Sequence, residues 1–158
     1  MGKYYFFKKF PHRNKCIATL EKIYPSISIA NCDFHALTQK QKWDEWSSYR
    51  LHWIIPVLND LPIRFFDALI TGGLPLVPGG LKPFIVALDI PEHFYLTYGP
   101  LDILNPEALV SRANNVFDAR GASGIIERHQ YAMKNFHVDA IIEKITAATY
   151  QAYEIKNS

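Results

Sequence analysis

The stretch from Pro62 to Gly80 constrains this chain more than any other. Pro62 opens a segment whose apolar residues recur at helical spacing as far as Thr71, where Gly72 and Gly73 stop it. Proline suits the first helical position, and glycine supplies the left-handed residue that closes a helix. Leu74-Pro75-Leu76-Val77 follows, four apolar residues with no position reserved for water, and Pro78-Gly79-Gly80 turns the chain. A strand that is apolar on both faces has to be covered on both, as in a parallel sheet flanked by crossover helices.

The rest of the sequence repeats this alternation. Tyr4 to Phe7 reads as a short buried strand. Arg13 to Tyr24 reads as a helix through Cys16, Ile17, Leu20, Ile23 and Tyr24, ended by Pro25. Ser26 to Ala30 alternates like a strand, and Thr38 N-caps a polar helix to Arg50 with Trp43, Trp46 and Tyr49 on one side. Leu51 to Val57 is a third strand candidate, Leu81 to Leu88 a short helix, and His93 to Tyr98 a further strand. Pro106–Ala119, Ile125–Phe136 and Val138 to about Tyr153 read as helices packed on one flank of the sheet. Residues 1–158 are therefore expected to form one α/β domain with a parallel sheet and a C-terminal helical flank.

Composition excludes several classes. At 158 residues, 49% hydrophobic and 20% charged, the chain is sized for one domain with a real core. A net charge of +2 is too small for a nucleic-acid binder with a concentrated basic face. The cluster Lys8, Lys9, His12, Arg13 and Lys15, interrupted by Phe10 and Pro11, reads as a solvated loop or, more sharply, as an anion-binding loop. Cys16 and Cys32 form no C-x-x-C unit and read as two free thiols of a reducing compartment. No apolar run approaches the ~20 residues of a membrane span, and the lysine-flanked aromatic N-terminus is unlike a signal peptide. A cytoplasmic protein is expected, with the inner face of the membrane left open.

The candidate chemistry lies between Asn59 and Gly80. Loops at the carboxyl ends of parallel strands face the ligand crevice, and a helix beginning at Pro62 would aim its amide groups there, which suits a phosphate. Asp67 could accept hydrogen bonds from the hydroxyls of a ribose, with Arg64 near the phosphates or paired with Asp67. The plainer reading is an i, i+3 surface pair followed by an ordinary glycine cap. His35, His52, His93, His129 and His137 show no zinc-binding spacing, so neither a metal nor a cofactor is expected. His129, beside Arg128 and near Tyr131, reads as a packing or capping residue, and Asp44-Glu45 as a solvated helix face. No G-x-S-x-G nucleophile elbow occurs.

These segments carry a resemblance. Phe66-Asp67-Ala68-Leu69-Ile70-Thr71-Gly72-Gly73-Leu74-Pro75-Leu76-Val77 resembles the "F-E-A-L-A-x-G-x-P-V-V" segment of glycosyltransferases with the two-domain GT-B fold. Pro78-Gly79-Gly80-Leu81-Lys82-Pro83 is similar to their "G-G-L-P-E" turn. Trp53 to Asp60 with Arg64, the run Arg128-His129-x-Tyr131, and Tyr4 to Arg13 resemble the corresponding parts of the CgeB-like branch.

The resemblance implies a Rossmann-like donor half that grips a nucleotide-sugar, in an enzyme that transfers the sugar to a glycan or lipid-linked acceptor. It places Asp67 as the ribose-binding acid and Gly72, Gly73, Gly79 and Gly80 along the diphosphate. Asn59, with Asp60 beside it, stands where the family has its first acid, and Lys8-Lys9-Phe10-Pro11 stands where it has a glycine loop. Arg13 belongs to the same loop. The base and acceptor pocket come from the other domain in this fold, and an N-terminal acceptor-binding domain is expected to be missing. The chain alone is then expected to transfer nothing and to self-associate through Tyr4–Phe10 or Trp43–Trp53. Surface polysaccharide or lipopolysaccharide assembly is the expected setting. A non-catalytic Rossmann-like scaffold is the rival reading.

Overall fold

Three consecutive carbonyls at the exit of one strand organise the molecule. The computed structural model describes residues 2–4, 8–29 and 36–156. The expected strand residues Tyr5, Phe6 and Phe7, together with Ala30, Cys32 and His35, lie outside that set. The described residues form an α/β fold with parallel strand pairing. Among them, strands β1 (Gly2–Tyr4) and β2 (Ile27–Ile29) pair in parallel. Strands β3 (Leu51–Trp53), β4 (Leu74–Pro78) and β5 (Leu96–Tyr98) form a second parallel sheet in the order β3-β4-β5. Side chains then fix the chain leaving β3. The Tyr4 hydroxyl donates to the carbonyl of Trp53, the Tyr98 hydroxyl to that of Ile54 at 2.9 Å, and Arg13 Nε to that of Ile55 at 3.3 Å. Buried carbonyls need partners, and here β1, β5 and the first helix each supply one.

The helices cover both faces of this framework. Helix α1 (Pro11–Glu21) buries Arg13, Ile17 and Leu20. Helix α2 (Gln39–Ser47) begins at a capping box in which the Thr38 hydroxyl accepts from the Gln41 amide and the Gln41 side chain accepts from the Thr38 amide. This satisfies donors that the first helical turn leaves open. Helix α3 (Ile63–Ile70) buries Phe65, Ala68 and Leu69. Pro62 is its N-cap, one position earlier than proline's preferred first helical place. A 3-10 turn (Gly79–Leu81) leads into α4 (Lys82–Ala87), and β5 is followed by α5 (Pro100–Leu104), a short helix not expected from the sequence. Another 3-10 turn (Glu92–Phe94) occupies the start of the expected 93–98 strand, which begins only at Leu96.

The last helices depart from the expected single flank. Helix α6 (Pro106–Phe136) contains a non-helical residue, Gly121, at φ 50° and ψ −140°. Only glycine takes such a conformation readily, and the expected break between residues 119 and 125 falls around it. Before the kink, Leu109, Ala113 and Phe117 join Ile17, Trp53 and Leu76 in one core cluster. Beyond it, Ala132, Tyr131 and Phe136 pack with Phe65, Leu69 and Val77 in the other. The strands divide their side chains accordingly: Trp53 and Ile55 enter one cluster and Ile54 the other. Period-two alternation puts successive residues on opposite faces, so α6 serves both sides of the sheet. Helix α7 (Val138–Lys156) ends the described chain.

Candidate functional site

The carbonyl pattern at the exit of β3 also builds a cleft. An open cavity of about 460 Å³ lies where the carboxyl ends of β3, β4 and β5 meet the start of α1. Lys9, His12, Arg13, Asn59, Pro78 and Tyr98 are among its lining residues. Ligands of open parallel sheets bind at this edge because the strand-to-helix loops converge there. The floor is rigid. Tyr98 packs edge-on against Trp53 at 5.2 Å between ring centres, and its hydroxyl holds the Ile54 carbonyl. Arg13 is buried, tied to the Ile55 carbonyl, with its guanidinium 5.3 Å from the centre of the Tyr4 ring. Lys9 and His12 remain exposed at the rim, and so does Asn59. Phe10 stands at the N-cap of α1 and has no acceptor in its side chain, so the helix presents its positive end beside these basic residues.

Arg64 and Asp67 face a second cavity, of about 400 Å³, between α2 and α3. Trp43 and Trp46 line it edge to face, with ring centres 6.0 Å apart, and Gln39 and Lys42 complete the α2 side. Arg64 stacks over the Tyr4 ring at 4.4 Å and reaches the Trp46 ring at 5.8 Å. One buried tyrosine thus carries an arginine from each cavity. Partial burial pushes the Asp67 carboxyl up to about 6, with the Arg64 charge opposing the rise. Burial likewise drives the Tyr4 hydroxyl up to about 12, keeping it a donor to Trp53.

The two glycine pairs do not converge. Gly72 and Gly73 precede β4 and Gly79 and Gly80 follow it, so roughly 17 Å of strand separates them. The first pair is closely packed. Gly72 closes α3 at φ 75°, and a Cβ there would meet Ile125 Cγ2 at 2.5 Å; one on Gly73 would meet the His52 ring at 2.4 Å. His52 is buried, and burial holds it neutral, near pKa 3. Its Nε2 lies 3.2 Å from the Tyr49 carbonyl, so that nitrogen carries the hydrogen and donates. Gly79 and Gly80 do sit at the carboxyl edge, exposed in the 3-10 turn after Pro78. Asp60 is exposed in the loop beyond Asn59.

His129, read from the sequence as a packing or capping residue, and its neighbour Arg128 reach from α6 to the carbonyls at the end of α3. His129 Nδ1 lies 2.6 Å from the Ile70 carbonyl, and Arg128 Nε donates to the Gly72 carbonyl at 2.9 Å. Arg128 is buried against the Phe117 ring, and burial lowers its pKa to about 10. The place of Tyr98 in the cleft has no sequence signal, since it belongs to no spacing motif. Only the basic character of residues 8–15 marks that loop. Burial pushes the Cys16 thiol up to about 11, which makes it a poor nucleophile. Among the described residues, no cluster of three or more His, Cys, Asp or Glu side chains is placed to hold a metal ion. No helix among them is long and apolar enough to cross a membrane.

Comparison of the chain with protein-family profiles, with curated proteins and with solved structures gave no match.

Proposed function

We propose that the cleft at the carboxyl ends of β3, β4 and β5 binds the diphosphate of a nucleotide-activated sugar. In this reading the chain is the donor-binding half of a glycosyltransferase, with a Rossmann-like fold. The observation that carries it is the convergence of Lys9, His12, Arg13 and the N-terminus of α1 on one open cleft at the ligand edge of a parallel sheet. Transfer from such a donor builds negative charge on the departing diphosphate. Basic side chains and helix amides can stabilise that charge as it forms.

The nucleoside end would extend toward the neighbouring cavity. There Trp43 and Trp46 offer aromatic faces, and Asp67 offers a carboxylate to the ribose hydroxyls, with Arg64 beside it stacked on the Tyr4 ring. Asn59 can hydrogen-bond a sugar hydroxyl but cannot oppose positive charge at the anomeric carbon. The base and acceptor site would come from another domain, so the chain alone binds nucleotide weakly and transfers nothing. Synthesis of a surface polysaccharide or lipopolysaccharide on the cytoplasmic side is the setting this reading suggests.

Calorimetric titration with UDP, GDP, CMP and dTDP tests the proposal. Saturable binding of one nucleotide is expected, weakened at least tenfold by Lys9→Ala combined with His12→Ala. Both side chains are exposed, so the loss would report binding and not folding. A smaller loss is expected for Asp67→Ala. No heat at millimolar nucleotide would favour the non-catalytic scaffold instead.

A further inference from the structure

Two buried indole N–H groups have no protein partner. Trp46 Nε1 and Trp53 Nε1 are out of reach of bulk solvent and hydrogen-bond to nothing among the described residues. A buried tryptophan ordinarily finds an acceptor, because a donor stripped of water and left unpaired costs free energy. The two side chains come from different elements, α2 and β3. Both nevertheless line one small cavity, with Tyr4, His52, Ile54 and Arg64 completing its wall. Its volume is about 10 Å³, the room that a single water molecule needs and too little for anything larger.

His52 offers the remaining polar atom. Its Nε2 carries the hydrogen and donates to the Tyr49 carbonyl at 3.2 Å, so Nδ1 of the neutral ring can only accept. Gly73 lies against the Cδ2–Nε2 edge, which leaves Nδ1 on the opposite edge of the imidazole. Two donors and one acceptor therefore belong to residues around the same cavity. An anion would be repelled by the Nδ1 lone pair, and a cation by the two N–H groups and by Arg64. Water both accepts and donates, and three hydrogen bonds are usual for a buried water.

We propose that the cavity is a binding site for one water molecule, which accepts from the Trp46 and Trp53 indoles and donates to His52 Nδ1. The consequence falls on α2. That helix has no fully buried residue, and Trp46 reaches from it toward the His52 ring at 6.2 Å and the Arg64 guanidinium at 5.8 Å. Trp46 also walls the cavity that holds Asp67. A water bonded to Trp46 and to two residues of β3 pins that wall to the sheet, adding a polar tie where the helix has little apolar anchorage. The inference stands whatever ligand the Asp67 cavity takes.

The unmodified chain is sufficient for the test. In rotating-frame Overhauser spectra, the indole protons of Trp46 and Trp53 should each show a cross-peak to the water resonance, of the sign that marks dipolar contact and not proton exchange. The imidazole nitrogens of His52 should show the hydrogen on Nε2 and an upfield shift at Nδ1, as an acceptor that is hydrogen-bonded. A crystal structure should place one oxygen within about 3.2 Å of both Nε1 atoms and of His52 Nδ1. Loss of the dipolar cross-peak at either indole overturns the proposal. So does an indole bonded to a protein carbonyl, or a His52 ring with its hydrogen on Nδ1.

Discussion

Replacing Asp67 by asparagine should stabilise this protein at neutral pH and leave it unchanged in acid. The carboxyl is half-buried beside Trp43 and Trp46, and burial raises its pKa from the ordinary 3.8 to about 6 despite Arg64. Below pH 3.8 the acid is protonated in both folded and unfolded chains, and no differential cost arises. As pH rises toward 6 the unfolded chain loses its proton while the folded chain keeps it, so stability falls; above 6 the whole cost is present. A shift of about two units corresponds to roughly 3 kcal/mol, and partial solvent screening reduces this to about 1–2 kcal/mol. For a domain of this size that is roughly 3–6 °C in Tm. Differential scanning calorimetry of both proteins at about pH 3 and about pH 8 checks it, the two values lying on either side of the window between the unfolded and folded titrations. The expected result is a gain for Asp67→Asn in the alkaline scan that vanishes in the acid one. A loss of Tm in the alkaline scan would refute the reasoning, because it would mean that Arg64 stabilises the carboxylate more than burial opposes it. A residue that lowers stability at working pH is better explained by ligand binding than by packing, which links this measurement to the proposed site.

Other consequences follow from the packing of α3 and α6. Gly73→Ala should cost about 1–3 kcal/mol by overpacking against the His52 ring, measured by urea denaturation, and most of that cost should disappear in a His52→Ala background. If the two changes are simply additive, the His52 contact is not the cause. Arg128→Met should cost about 2–4 kcal/mol, since it removes the donor to the buried Gly72 carbonyl; Arg128→Lys should recover little, because one ammonium cannot reproduce both the hydrogen bond and the stacking on Phe117. Gly80→Ala, by contrast, should fall within about ±0.5 kcal/mol in the same assay, as a Cβ there meets nothing within 4 Å.

Much of the architecture was legible because local chemistry and the fold agree. Two-faced apolar runs such as Leu74–Val77 became buried parallel strands, and Thr38 with Gln41 formed the capping box that set the start of α2. Gly72 closes α3 as a glycine after a helical run should. Harder to read from the sequence is how a strand separates residues in space. A motif that runs helix, glycine, strand, glycine looks continuous in sequence, yet the five residues of β4 carry its two glycine pairs to opposite edges of the sheet. Arg64 and Asp67, read from the sequence beside the phosphates and the ribose, line a cavity of their own with Trp43 and Trp46, while Asn59 lines the cleft at the carboxyl ends of the strands. Within the stretches read as self-associating, burial is uneven, and Trp43 and Trp46 stay half-buried. Tyr4 and Trp53 are buried, because their polar and aromatic edges lock the exit of β3, and exposed apolar residues also lie along α7. Sequence periodicity marks α7 as amphipathic, but whether its apolar face meets the core is decided by the length and direction of α6.

Amide NMR of the isotopically labelled chain titrated with the nucleotide diphosphate that binds best tests the central claim most directly. The account predicts that the largest shifts fall at residues 9–13 and 55–59, around the carboxyl-end cleft, with smaller ones at Arg64 and Asp67. Shifts confined to the amino end of β4, around Gly72 and Gly73, or no shifts at saturating nucleotide, would contradict it.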